Sequence, residues 1–259
     1  MTGRQLSSYR KEKKRTQLET AHALGVSQTY LSLLEAGKRP LTENLVRKAV
    51  RFFELAPTKI PIDLRLPNVR PISDDQLASH IGGLGYRGFS HLKRTRPKNP
   101  AVLLLAALNS PKRDARVVEA LPWVVLTFPD MEWASLTKVA KAYDLQNRLG
   151  FITEVARSIA SFRGDGLKGE KLLRCESRLE RSLLVREETL CNETMTNAER
   201  RWLAVTRPEP AKRWHLYAGG APFDTAEGTA FGIHRVSRKK YSARSPLILG
   251  IFRDLNSCT

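Results

Sequence analysis

The sequence predicts an all-α protein: two helical domains joined by a proline-rich segment, with a basic tail behind them. Three observations predict it. Apolar residues recur at helical spacing from Leu6 to about Leu216, with capping residues and glycines as punctuation. Four of the seventeen positions of 56–72 are proline, and no helical period crosses them. The 259 residues leave room for two or three small domains, and 41% hydrophobic with 27% charged residues is an ordinary globular balance. These figures divide the chain into residues 1–56, a linker 57–72, a helical domain 73–217 and a Gly-rich basic tail 218–259.

The charge is uneven. The net charge is +18, and residues 1–56 carry 11 basic and 5 acidic groups where 111–160 carry 7 and 6. A front-loaded positive field fits a polyanion-binding N-terminus on a near-neutral packing module. The longest strictly apolar run, Ala101–Leu108, is far below the ~20 residues a membrane helix needs. No apolar stretch follows the basic N-terminus, so no signal peptide is predicted. The three cysteines, Cys175, Cys191 and Cys258, form no disulfide framework. A cytoplasmic, nucleoid-associated protein without membrane contact is expected.

Element by element, LSSYRKEKK reads as a short helix with Leu6 and Tyr9 inward and a basic outer face. Thr16 with Glu19 three residues on forms a capping box. It opens a helix whose inward stripe is Leu18, Ala21 and Leu24. Gly25 supplies the permissive backbone of a tight turn. Ser27 caps the next helix, Gln28–Ala36, with Leu31 and Leu34 inward and Gly37 as its stop. Thr42 caps a further helix to Leu55, with Leu45, Ala49, Phe52 and Phe53 inward.

Residues 6–55 resemble the helix-turn-helix domain of phage-repressor and Cro-like regulators, the XRE type. Arg10, Gln17, Ala21, Gly25-Val26-Ser27, Gln28, Leu34-Glu35 and Gly37-Lys38 carry the likeness. The resemblance implies a five-helix domain that binds double-stranded DNA. It makes Arg10–Glu35 a structural pair that holds the recognition helix, and Gln17 a phosphate contact. It makes Gln28 and Thr29 base readers, with Ser32 and Leu33 one turn on. Side-chain chemistry agrees: a Gln amide matches adenine N6 and N7, and Thr offers a hydroxyl or a methyl to thymine. Leu33 and Thr20 depart from the family pattern, with Leu18 set to compensate for Thr20 in the core. Lys38, Arg39, Lys11, Lys13, Lys14 and Arg15 are the remaining phosphate candidates.

Beyond the linker, Ser73 opens a helix that runs into GGLGYRGF. Gly83, Gly85 and Gly88 match G-x-G-x-x-G only formally, because a helix stands where a dinucleotide site needs a strand. A turn exposing Tyr86 and Arg87 is predicted. Helices follow at Ala101–Leu108, at Ala115–Val125 with Pro122 as a kink, after an Asp130 cap, and over Asp144–Ala160. Leu172, Leu179, Leu183 and Leu190 suit either a coiled-coil seam or a long packed helix. NPAVLLLAAL, DARVVEALPWVV and YDLQNRLGF resemble helical domains of regulators found beside AbiE-type nucleotidyltransferase toxins.

The sequence therefore predicts a sequence-specific DNA-binding regulator, a homodimeric repressor on a palindromic operator. The alternative is an antitoxin or adaptor that binds a cognate toxin or other protein and regulates its own operon. Its candidate contact surface is the neutral stretch with Trp123 and Trp133, for which buried core is the other fate. No zinc-protease, Cys-x-x-Cys, P-loop or Gly-x-Ser-x-Gly pattern is present, so no catalytic residue, cofactor or metal is expected.

Overall fold

The computed structural model describes residues 1–60, 72–93, 95 and 98–219. Most of the predicted linker, the tail from residue 220 and Cys258 lie outside these. The chain divides into two compact units, Met1–Asp63 and Leu64–Thr259. Both are helical.

The first unit consists of α1 (Gly3–Glu12), α2 (Gln17–Leu24), α3 (Gln28–Glu35) and α4 (Glu43–Phe52), then a 3-10 turn at Pro57–Lys59. Each α-helix begins at a hydroxyl side chain that satisfies an otherwise orphaned backbone N–H: Thr2, Thr16, Ser27 and Thr42. Thr2 and Thr16 complete full capping boxes with Gln5 and Glu19. Gly25 ends α2 at φ 70°, a left-handed backbone that costs glycine no Cβ clash. The core gathers Leu6, Ala21, Leu24, Leu31, Leu34, Leu45, Ala49 and Phe53. The expected stripe of α2 is corrected at one position. Leu18 is 67% exposed, and Thr20 is fully buried in its place. Thr20 can afford that position because its hydroxyl donates to the Thr16 carbonyl at 2.8 Å.

In the second unit α5 (Asp74–Gly83), α6 (Pro100–Leu108), α7 (Ala115–Thr127), α8 (Trp133–Ala142), α9 (Gln146–Phe162) and α10 (Gly166–Glu180) precede β1 (Glu188–Thr189). Then come α11 (Asn197–Thr206), α12 (Glu209–Arg213) and β2 (Leu216–Tyr217), which pairs in parallel with β1. The central element is α9, which packs against α10, α7, α8, α6 and α12. Two polar residues buried in its first turn bond to other segments. Asn147 clasps Leu184 by both its backbone groups, at 2.8 and 2.9 Å. Arg148 donates to the Leu108 carbonyl at the end of α6, at 2.8 Å, and pairs with Glu188 at 3.2 Å.

Several expectations are corrected here. The leucines of 170–190 form neither one long helix nor a free seam. α10 stops at Glu180, with Leu172 and Leu179 buried in the chain's own core and Leu190 next to β1. Asp130 caps nothing, since α8 begins at Trp133 without a side-chain cap, and Asp130 pairs with Lys171 instead. α9 starts at Gln146 and not at Asp144, whose φ of 56° ends the preceding turn. Tyr86 is buried against Phe89 and Trp123. Trp133 is buried as well, its indole N–H bonded to the Pro129 carbonyl at 3.0 Å. Trp123 is half-buried between Tyr86 and Phe128. Both tryptophans pack against neighbouring groups of the second unit, Trp133 more deeply than Trp123.

Candidate nucleic-acid interface

The site is built on α3. Its apolar positions Leu31 and Leu34 face the core, which turns Gln28, Thr29 and Ser32 outward, all three exposed. Leu33 is half-buried. The helix starts with the Ser27 hydroxyl accepting from the Tyr30 N–H at 3.2 Å, which puts Gln28 and Thr29 in its first turn.

What holds α3 is a three-residue clamp. Arg10 of α1 binds Glu35 through a fork, Nε to Oε1 at 2.6 Å and the terminal nitrogen to Oε2 at 2.9 Å. Gln17, the first residue of α2, donates its amide to the same Oε2 at 3.0 Å. The last residue of α3 is thus tied to both preceding helices. The two charged side chains are 13% and 7% exposed, so water screens the pair weakly. Burial pushes the Glu35 carboxyl up, but the bonds from Arg10 and Gln17 outweigh it and hold its pKa below the ordinary value. The Glu35 bond raises Arg10 in turn.

Gln17 was expected on a phosphate, yet here one amide hydrogen is spent on Glu35. Only its second N–H is left for DNA. The other cations stand exposed: Lys11 in the last turn of α1, Lys13, Lys14 and Arg15 after it, Lys38 and Arg39 after α3. Lys14 has φ 50° and turns the chain from α1 into α2, and Arg15 lies 5.6 Å over the Phe52 ring. One contributor escaped the sequence reading. Lys48 of α4 donates to the Leu24 carbonyl at 2.7 Å, placing a cation on the C-terminal end of α2 beside the turn. A lysine on the outer face of an amphipathic helix carries no signal of that reach.

This geometry is two short helices at a glycine turn, the second presenting polar side chains in a basic surround. Residues 6–60 match the helix-turn-helix family model. The first unit is a helix-turn-helix domain of the XRE/Cro-like kind. No curated protein and no solved structure matches the chain. Among the described residues no helix is long and apolar enough to cross a membrane. No three His, Cys, Asp or Glu side chains among them meet in a way that could hold a metal ion. Cys175 and Cys191 are buried thiols whose pKa burial pushes up to about 11.

Proposed function

We propose that the protein is a sequence-specific transcriptional regulator, a homodimeric repressor that sets α3 of each copy in adjacent major grooves of a palindromic operator. The observation that carries this is the exposed row Gln28, Thr29 and Ser32 on a helix clamped through Glu35. Gln28 bonds an adenine edge in a bidentate way, Thr29 and Ser32 offer hydroxyls, and Leu33 meets a thymine methyl at the rim. Lys11, Lys13, Lys14, Arg15, Lys38 and Arg39 hold the phosphates, with the second amide hydrogen of Gln17. One short helix reads only a few base pairs, so specificity calls for two copies.

Fluorescence anisotropy on the DNA upstream of the protein's own gene, against a scrambled duplex over a salt series, tests it. Preference for the native duplex that survives rising salt supports the proposal. Equal binding that vanishes with salt on both duplexes refutes it. Gln28→Ala is expected to reduce the preference about tenfold while leaving binding to the scrambled duplex nearly unchanged.

A second reading is an antitoxin or adaptor whose helical unit binds a partner protein. It draws on α11, where Trp202 and Val205 are 52% and 79% exposed one turn apart. Co-purification with the product of the neighbouring gene, lost in Trp202→Ser, is its test.

A further inference from the structure

In the second unit, α11 and β2 border a solvent-open recess of about 480 Å³ lined by Asn197, Arg200, Arg201, Ala204 and Tyr217. Its charges are unequally matched. Arg207, just beyond α11, pairs with Glu187, donates to the Leu216 carbonyl at 3.2 Å and lies 5.1 Å over the Tyr217 ring. The Tyr217 hydroxyl bonds Glu187 as well, which holds that carboxyl below its ordinary range. Glu199 closes the capping box on Thr196. The neighbouring carboxylates are therefore engaged elsewhere. Arg200 and Arg201 form no ion pair among the described residues, and Arg201 makes only a long 3.4 Å bond to the Asn197 carbonyl. The Nε of Arg200 is shielded from water and has no acceptor among the described residues.

Two arginines that line one recess without a carboxylate leave it with an excess of positive charge, and a shielded donor without an acceptor is costly. Both defects are relieved by one kind of group, a compact dianion that takes a fork of N–H donors from each arginine. We propose that this recess binds the phosphoryl group of a small phosphorylated metabolite. Arg200 and Arg201 grip the phosphoryl oxygens, the Asn197 amide donates from the first turn of α11, and the rest of the molecule lies along Ala204 and Tyr217. Its lining residues all belong to the second unit, and its occupancy gives that unit a ligand of its own.

Isothermal titration calorimetry of the full chain with pyrophosphate in 0.15 M salt tests the proposal, with citrate as the carboxylate control. Expected is one pyrophosphate per chain, bound at least tenfold more tightly than citrate. Arg201→Gln and Ala204→Glu, both on exposed positions of α11, each weaken it tenfold or more, and Arg39→Gln in the first unit leaves it unchanged. No binding at millimolar pyrophosphate overturns the proposal. So does equal affinity for citrate, indifference to both α11 variants, or loss with Arg39→Gln, which puts the anion on the DNA-facing surface.

Discussion

Glu35 is a buried carboxylate at the end of the helix proposed to read DNA, and Arg10 and Gln17, which bond it, belong to two other helices. Removing its charged partner, as in Arg10→Ala, is expected to cost about 3 kcal/mol, because an unpaired charge then stays in the protein. Thermal or urea unfolding measures this, and Glu35→Gln is expected to cost less, since the Arg10 cation keeps the Gln amide oxygen and the Arg15 carbonyl as acceptors. The same pair sets a pH response. With its folded pKa below the ordinary 4.5, Glu35 contributes stability that is fully present above about pH 4.5 and is lost as the pH falls through the depressed value. Urea midpoints between pH 7 and pH 3 are expected to fall less steeply in Glu35→Gln than in the wild type. Arg10 and Glu35 are legible in the sequence as a pair, because their places in the motif bring them together. The third member is not. Gln17 reads as a phosphate contact, and only the packed geometry reveals that its amide also reaches Glu35.

At the scale of elements, capping chemistry is what the sequence shows best. Thr16, Ser27, Thr42, Ser73 and Thr196 all stand where helices begin, because a hydroxyl at the N-cap satisfies a local donor whatever the tertiary context. Helix ends and inward faces are less legible. Leucines at 172, 179, 183 and 190 keep a coiled-coil spacing, yet nothing local announces that α10 stops at Glu180 or that a two-residue strand follows. The β1–β2 pair joins residues 28 apart in sequence and leaves no periodic trace. The burial of Trp133 is more legible, since it shares an inward helical stripe with Leu136, Val139 and Ala140. On α9 the decisive residue is Gly150, where any Cβ would overlap the six-membered ring of Trp214. Trp214 is held by its indole N–H on Glu154 at 2.7 Å, and Arg213 beside it pairs with Glu176 at 2.9 Å. Gly150→Ala is expected to destabilise the second unit by about 1–3 kcal/mol, visible as a lower unfolding temperature with the Gln28-dependent DNA preference unchanged.

Over the whole molecule the excess charge is divided, and the six cations around α3 are those proposed to meet phosphate. If all six do so, the logarithm of affinity should fall with the logarithm of salt by a slope of about −5 per chain. Lys13→Gln with Lys14→Gln should make that slope shallower by about 2, whereas neutralising Lys138 and Lys141, exposed on α8, should leave it alone. Anisotropy at four or five salt concentrations decides it. The Trp214 lock has one more consequence, for the order of events during synthesis. The helices of the helix-turn-helix unit all lie within the first sixty-three residues. The central helix of the second unit, by contrast, is sealed by a side chain some sixty positions downstream. At about 5–20 residues per second, translation separates the two closures by roughly 8–30 s. Each newborn chain thus carries a complete helix-turn-helix head on the ribosome while its second unit is still open, and whatever that unit contributes is added last.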